Sequence, residues 1–180
     1  MLRLGNVTNS LGEFELAKNY YEESQDMYKE IGSKSGIAAT TLSLGNIALN
    51  QGDYGLAKKY NEDSLSIFKE IGHKYGIALS ILSQGLVLFN QGDYEQAKKY
   101  YEESLDIRKE IGDKNGIAES IKNIGNVAYT QGDYQQAKNY YKESLDIYKE
   151  IGSKNGIANS INSLGNIAFC KRDFGKANKY

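Results

Sequence analysis

Hydrophobic positions along this chain fall into two alternating helical patterns. Between residues 76 and 90, Ile77, Ile81, Gly85 and Leu88 recur at steps of three and four and predict one face of a helix from about Gly76 to Asn90. Gln91-Gly92-Asp93 breaks that pattern. Gly92 suits the left-handed position that ends a helix, and Asp93 suits the N-cap of the next. Gln96, three residues on, completes a capping-box pattern. A second helix follows to about Ile111, with an inner stripe of Tyr94, Ala97, Tyr101, Ser104, Leu105 and Arg108. Gly112 stops it, Asp113-Lys114-Asn115 reads as a short polar turn, and Gly116 starts the next unit. The other face of the second helix carries Lys98, Lys99, Glu102 and Glu103, a solvated face with i,i+4 pairs such as Lys98–Glu102.

The pattern repeats every 40 residues. Gly5, Gly45, Gly85, Gly125 and Gly165 keep that step, as do Ala17 to Ala177 and Tyr20 to Tyr180. Ser24, Ser64, Ser104 and Ser144 follow it too, and residues 91–130 match residues 131–170 at 28 of 40 positions. Gly85 and Ala97 are expected to face each other, where larger side chains would push the helix axes apart. One helix pair cannot bury its apolar face alone, so the prediction is a stack in which each pair covers the next. The expected fold is an all-α solenoid of antiparallel helix pairs, a single array over residues 1–180. Its units are 1–32 (partial), 36–72, 76–112, 116–152 and 156–180 (partial), about 4.5 repeats.

Composition narrows the chemistry. The net charge of -1 argues against a nucleic-acid or anionic-membrane surface, either of which needs a basic patch. No apolar run approaches the ~18 residues of a membrane span, and no signal peptide follows Met1. The single cysteine, Cys170, excludes an internal disulfide and fits a cytoplasmic setting. With one histidine, His73, a multi-histidine metal site is excluded. No phosphate loop or metal motif is present. Neither a catalytic residue nor a cofactor is expected. His73 and Lys74 read as part of a solvated turn. Cys170 lies more than two units from His73, too far to share a nucleophilic role with it. Tyrosine is abundant, with 15 residues, and Tyr100 and its equivalents at 40-residue steps are expected to pack between units with their hydroxyls at the surface.

Leu44-Gly45-Asn46, Gln51-Gly52-Asp53-Tyr54 and Ala57, then Gly92-Asp93-Tyr94, Ala97 and Tyr101, resemble the tetratricopeptide repeat. The resemblance covers the whole chain and implies a right-handed superhelix. Two features depart from the usual form of about 34 residues ending in proline. This repeat has 40 residues and no proline, and it ends in Lys-Glu-Ile-Gly-x-Lys-x-Gly. That long form looks like the repeats of the polarity adaptor LGN or Pins, and is similar to kinesin light chain. Those relatives are peptide-binding scaffolds without catalytic activity.

In such a stack the first helix of each pair lines the inner wall. The resemblance places Asn46, Leu49 and Asn50 there, with Leu42 one turn earlier. The equivalent sets are Leu82, Leu86, Phe89 and Asn90, then Lys122, Asn126, Tyr129 and Thr130, then Asn162, Asn166, Phe169 and Cys170. Asn6, Asn46, Asn126 and Asn166 form a ladder with one gap, which LGN-like relatives use to hold a peptide backbone. A side-chain amide can pair with both the N–H and the C=O of an extended segment. The same asparagines can also cap or bridge adjacent units. At the gap, Leu82, Leu86 and Phe89 suggest either an apolar pocket or ordinary packing between repeats.

Both ends of the sequence fall inside a helix pair and lack a polar capping unit. Uncapped ends can stack head to tail between copies, so self-association is a second expectation. A third is that the chain is the sensor or adaptor part of a larger signalling protein.

Overall fold

The computed structural model describes residues 13–177, with side chains to residue 170; Asn6 lies outside them. Eight helices are described: α1 (Phe14–Glu30), α2 (Lys34–Asn50), α3 (Tyr54–Glu70), α4 (Lys74–Asn90), α5 (Tyr94–Glu110), α6 (Lys114–Thr130), α7 (Tyr134–Glu150) and α8 (Lys154–Ala177). They form two compact units, residues 1–97 and 98–180, divided in the first turn of α5. In the first unit α1, α2, α3 and α4 pack in chain order, and α2 also touches α4. In the second, α6, α7 and α8 do the same, with α6 also touching α8.

The turns follow from glycine and a side-chain cap. The chain leaves α2 through Gly52, whose φ of +80° is open to glycine but strained for other L-residues. The Asp53 N–H donates to Ala48 O (2.9 Å) and the Gly52 N–H to Leu49 O (3.0 Å), which satisfies the last carbonyls of the helix. Asp53 then accepts from the Leu56 N–H at 2.9 Å and opens α3. Asp93 and Asp133 do the same for Gln96 and Gln136. The link between pairs is shorter than the sequence suggests. Asp113 is itself the N-cap of α6, accepting from the Gly116 N–H, so Lys114 and Asn115 are already helical. His73 holds the same place at α4, where its Nδ1 accepts from the Gly76 N–H at 3.0 Å and its ring stacks on Phe68. It is a cap rather than a free turn residue.

The glycines inside the helices have different neighbours. A Cβ on Gly45 would stand 2.6 Å from Asn61 Oδ1 and 3.5 Å from Ala57 O, so the small-residue seam is real in the α2–α3 pair. On Gly125 it would stand 2.8 Å from the Tyr141 ring. Gly36, Gly76 and Gly156 lie in the third position of their helices, under the rings of Tyr28, Phe68 and Tyr148. Gly116 lies under Arg108 instead. The repeated serines tie the pairs together. Ser64 and Ser144 are buried and donate to Ala38 O (2.9 Å) and Ala118 O (2.8 Å).

Candidate functional site

The candidate surfaces are the exposed sides of the first helices of each pair, α2 and α4 in one unit, α6 and α8 in the other. Residues four apart on a helix share a face, which is why Lys122, Asn126 and Thr130 align on α6, and Asn162, Asn166 and Cys170 on α8.

Asn126 is the best-held amide of the second unit. Its Oδ1 accepts from the Tyr141 hydroxyl at 2.9 Å, and its Nδ2 donates to Asn123 Oδ1 at 3.3 Å. One N–H and one oxygen lone pair are left over. Burial pushes the Tyr141 hydroxyl up to about 12, so it is protonated and donating at neutral pH. Asn46 is held differently. Its Oδ1 accepts from Ser83 Oγ at 3.5 Å, at the outer limit of a hydrogen bond. The residue 15 positions on is Asn61, where Tyr141 stands for Asn126. Asn61 is 1% exposed, and its Oδ1 has no partner among the described residues. Asn166 on α8 is exposed. Asn46 thus touches α4 from α2, whereas the contacts of Asn126 stay within the α6–α7 pair.

The remaining predicted residues divide by burial. Leu82 is 4% exposed and Leu42 7%, so both serve the core rather than a surface. Leu49, Leu86, Phe89, Lys122 and Tyr129 are half-buried, while Asn50, Asn90 and Phe169 are exposed. Leu49 packs on the Ala48, Ala57 and Val87 cluster. Phe89 meets Tyr94 edge-on, ring centroids 5.3 Å apart, and the Asn90 amide donates back to Leu86 O at 2.8 Å. Tyr129 repeats the edge contact with Tyr134, and its hydroxyl lies 3.3 Å from Cys170 Sγ across the α6–α8 contact. That sulfur raises the Tyr129 pKa. Among the described residues no cluster of His, Cys, Asp or Glu is arranged to hold a metal. None of the described helices is long and apolar enough to cross a membrane.

Three features of the sites are departures from the repeat, and repetition conceals them unless each slot is compared at 40-residue steps. They are Arg108 in an aromatic slot, Asn61 in a tyrosine slot, and Gln25 with Thr41 in a Leu–Ile pair. Tyr141 was legible only as one tyrosine among many, because its tie to Asn126 depends on the crossing of α6 and α7.

Among solved structures, the Rap protein complexed with competence and sporulation factor matches 99% of this chain and half of its own length, at 17% identity and a TM-score of 0.85. BtubC (BKLC) from P. vanneervenii matches 98% of this chain and 73% of its own, at 19% identity and a TM-score of 0.74. A Podospora anserina putative kinesin light chain with nearly identical TPR-like repeats matches 99% of this chain and 88% of its own, at 12% identity and a TM-score of 0.68. These likenesses concern the fold. No curated protein matches the chain. The family model for the tetratricopeptide repeat matches residues 1–70, 77–150 and 123–180, and the chain belongs to that family.

Proposed function

We propose that this chain is a protein-interaction scaffold whose first helices bind an extended segment of a partner, with Asn46, Asn126 and Asn166 pairing with its backbone. The observation that carries the reading is the Asn126 amide. Tyr141 and Asn123 fix its orientation and still leave it one donor and one acceptor. That is the pair of groups one peptide unit requires. An amide fixed beforehand loses little side-chain freedom on binding, which favours affinity. Leu49, Leu86, Phe89, Tyr129 and Phe169 are proposed to pack the side chains of the segment, and Lys122 supplies the one cation of the α6 set. The reading is of a binding module, not an enzyme.

The test is a random peptide library panned on the protein, followed by fluorescence anisotropy on the selected peptides. Asn126→Ala is expected to weaken binding at least tenfold with unchanged helix content by circular dichroism. Unchanged affinity in the Asn46→Ala/Asn126→Ala double variant would remove the ladder.

A further inference from the structure

The first unit carries a groove on a different side of α2 from Asn46. Thr41 and Asn46 are five residues apart, hence about 140° around the helix. Helices α1 and α3 flank α2 there and leave an open space of about 430 Å3. Its floor is Ile37 and Thr41 of α2 with Gln25 of α1. Tyr60, Asp63 and Ile67 of α3 form one wall at steps of three and four, and Lys29 of α1 stands on the other.

This floor is where the repeat has been changed on both sides of one contact. At 40-residue steps, Gln25 and Thr41 correspond to Leu65 and Ile81, Leu105 and Ile121, and Leu145 and Ile161. An apolar pair has been exchanged for a polar one only here. Gln25 Nε2 donates to Thr41 Oγ1 at 2.9 Å, and Thr41 Oγ1 donates to Ile37 O at 2.8 Å. The exchange gives up apolar burial on two helices for one hydrogen bond, which is a poor trade for stability. Such a local departure from packing rules is typical of a site that serves binding.

The groups left over define the ligand. Among the described residues Gln25 Oε1 has no partner, and neither has the Asp63 carboxylate. Lys29 pairs with Asp26 at 2.9 Å, which offsets its charge. The groove therefore presents two acceptors, one of them anionic, over the aliphatic surfaces of Ile37 and Ile67 and beside the Tyr60 ring. We propose that it is a second binding site that takes an arginine side chain of a partner protein. The planar guanidinium has donors spread widely enough to reach a carboxylate and an amide oxygen together, and its stem covers aliphatic surface.

The probe is N-acetyl-argininamide titrated into the 15N-labelled full chain and followed by NMR. Saturable shifts are expected at the Gln25 side-chain amide and the Thr41 and Asp63 backbone, with Asp63→Asn weakening binding at least fivefold. The Gln25→Leu/Thr41→Ile double variant restores the floor found in the other repeats, so it is expected to fold with an unchanged or higher denaturation midpoint and to lose the shifts. N-acetyl-citrullinamide, which has the shape without the charge, is expected to give none. Shifts that do not saturate, equal binding of citrullinamide or of N-acetyl-lysinamide, or titrations unchanged by both variants would each overturn the proposal. The variant Asn126→Ala leaves this titration intact, so the two sites are tested separately.

Discussion

Arg108 occupies the position held by Tyr28, Phe68 and Tyr148 in the other repeats, and it is 2% exposed. Its Nη1 reaches Glu119 Oε2 at 3.0 Å and Asp113 Oδ2 at 3.7 Å, while Nε and Nη2 have no partner among the described residues. A buried cation with two donors unmet is costly, and the attraction of its acids does not fully offset the lost hydration. Arg108→Tyr, which places an aromatic ring over Gly116 as Tyr148 lies over Gly156, is expected to raise stability by about 1–4 kcal/mol. Glu119→Ala leaves the cation in place and is expected to cost about 1–3 kcal/mol. By contrast, Lys114 pairs with Glu150 at the surface, more than half exposed on both sides. Lys114→Ala should change stability by no more than about 1 kcal/mol. Urea denaturation of the three variants checks the ranking. A less stable Arg108→Tyr would mean that the pair is worth more than its burial costs.

The asparagines separate at the same scale. Asn126 is anchored by a tyrosine hydroxyl and Asn46 only by a long contact from Ser83. Under the proposed binding mode, Tyr141→Phe should weaken a selected peptide about fivefold or more, since the freed amide must then be ordered on binding, at ~1 kcal/mol. The proposed role of Tyr141 is positioning, so Asn126→Ala in the Tyr141→Phe background should add less than it does alone. Fluorescence anisotropy on the four proteins gives the coupling, and strict additivity would assign Tyr141 a structural role only.

At the scale of the helix pair, the glycine at 40-residue steps has two different surroundings. In α6, Gly125 meets Tyr141 and Tyr140 of α7, so a methyl group there forces the helices apart. In α8, a Cβ on Gly165 would find nothing within 4 Å among the described residues. Gly125→Ala is therefore expected to destabilise by about 1–3 kcal/mol through overpacking. Gly165→Ala should stabilise by ~0.5–1 kcal/mol, because alanine loses less backbone entropy in a helix. Thermal melts of both variants check the opposite signs, and a destabilising Gly165→Ala would show that another helix covers that face in solution. The helix pairs themselves were legible because glycine, aspartate and the apolar stripe each mark a local boundary. Helices α4 and α6 begin at Lys74 and Lys114, two residues before the glycines that the sequence marks, because His73 and Asp113 act as N-caps. The aromatic lid over Gly76 and Gly156 was not legible either, because it is a contact between helices and the repeat spacing alone does not say which side chain lies over which backbone. Leu42 and Leu82, which the resemblance places among the binding residues, are buried.

Over the whole chain, tyrosine is the commonest aromatic, and its burial makes stability depend on alkaline pH. Burial raises Tyr101 well above the ordinary phenol value and holds Tyr141 and Tyr148 up to about 12. At Tyr148 the nearby Glu119 adds to the rise and Arg108 opposes it. In the unfolded chain these phenols ionise near the ordinary value of about 10. A folded pKa above the unfolded one means that the unfolded state releases its proton first as pH rises. The stability these groups contribute is thus fully present below pH ~10 and is lost progressively above it, toward and beyond pH ~12. Each fully buried phenol can contribute a slope of up to about 1.4 kcal/mol per pH unit in that window. Urea midpoints from pH 8 to 11.5 should be flat at first and then fall, and the Tyr141→Phe/Tyr148→Phe double variant should fall less steeply. Arg108→Tyr removes the opposing cation at Tyr148 and adds a further buried phenol, so it should steepen the alkaline loss even while it raises stability at pH 7. A variant more stable at neutral pH whose advantage shrinks above pH 10 is the combined signature; parallel pH profiles for Arg108→Tyr and the parent would overturn it.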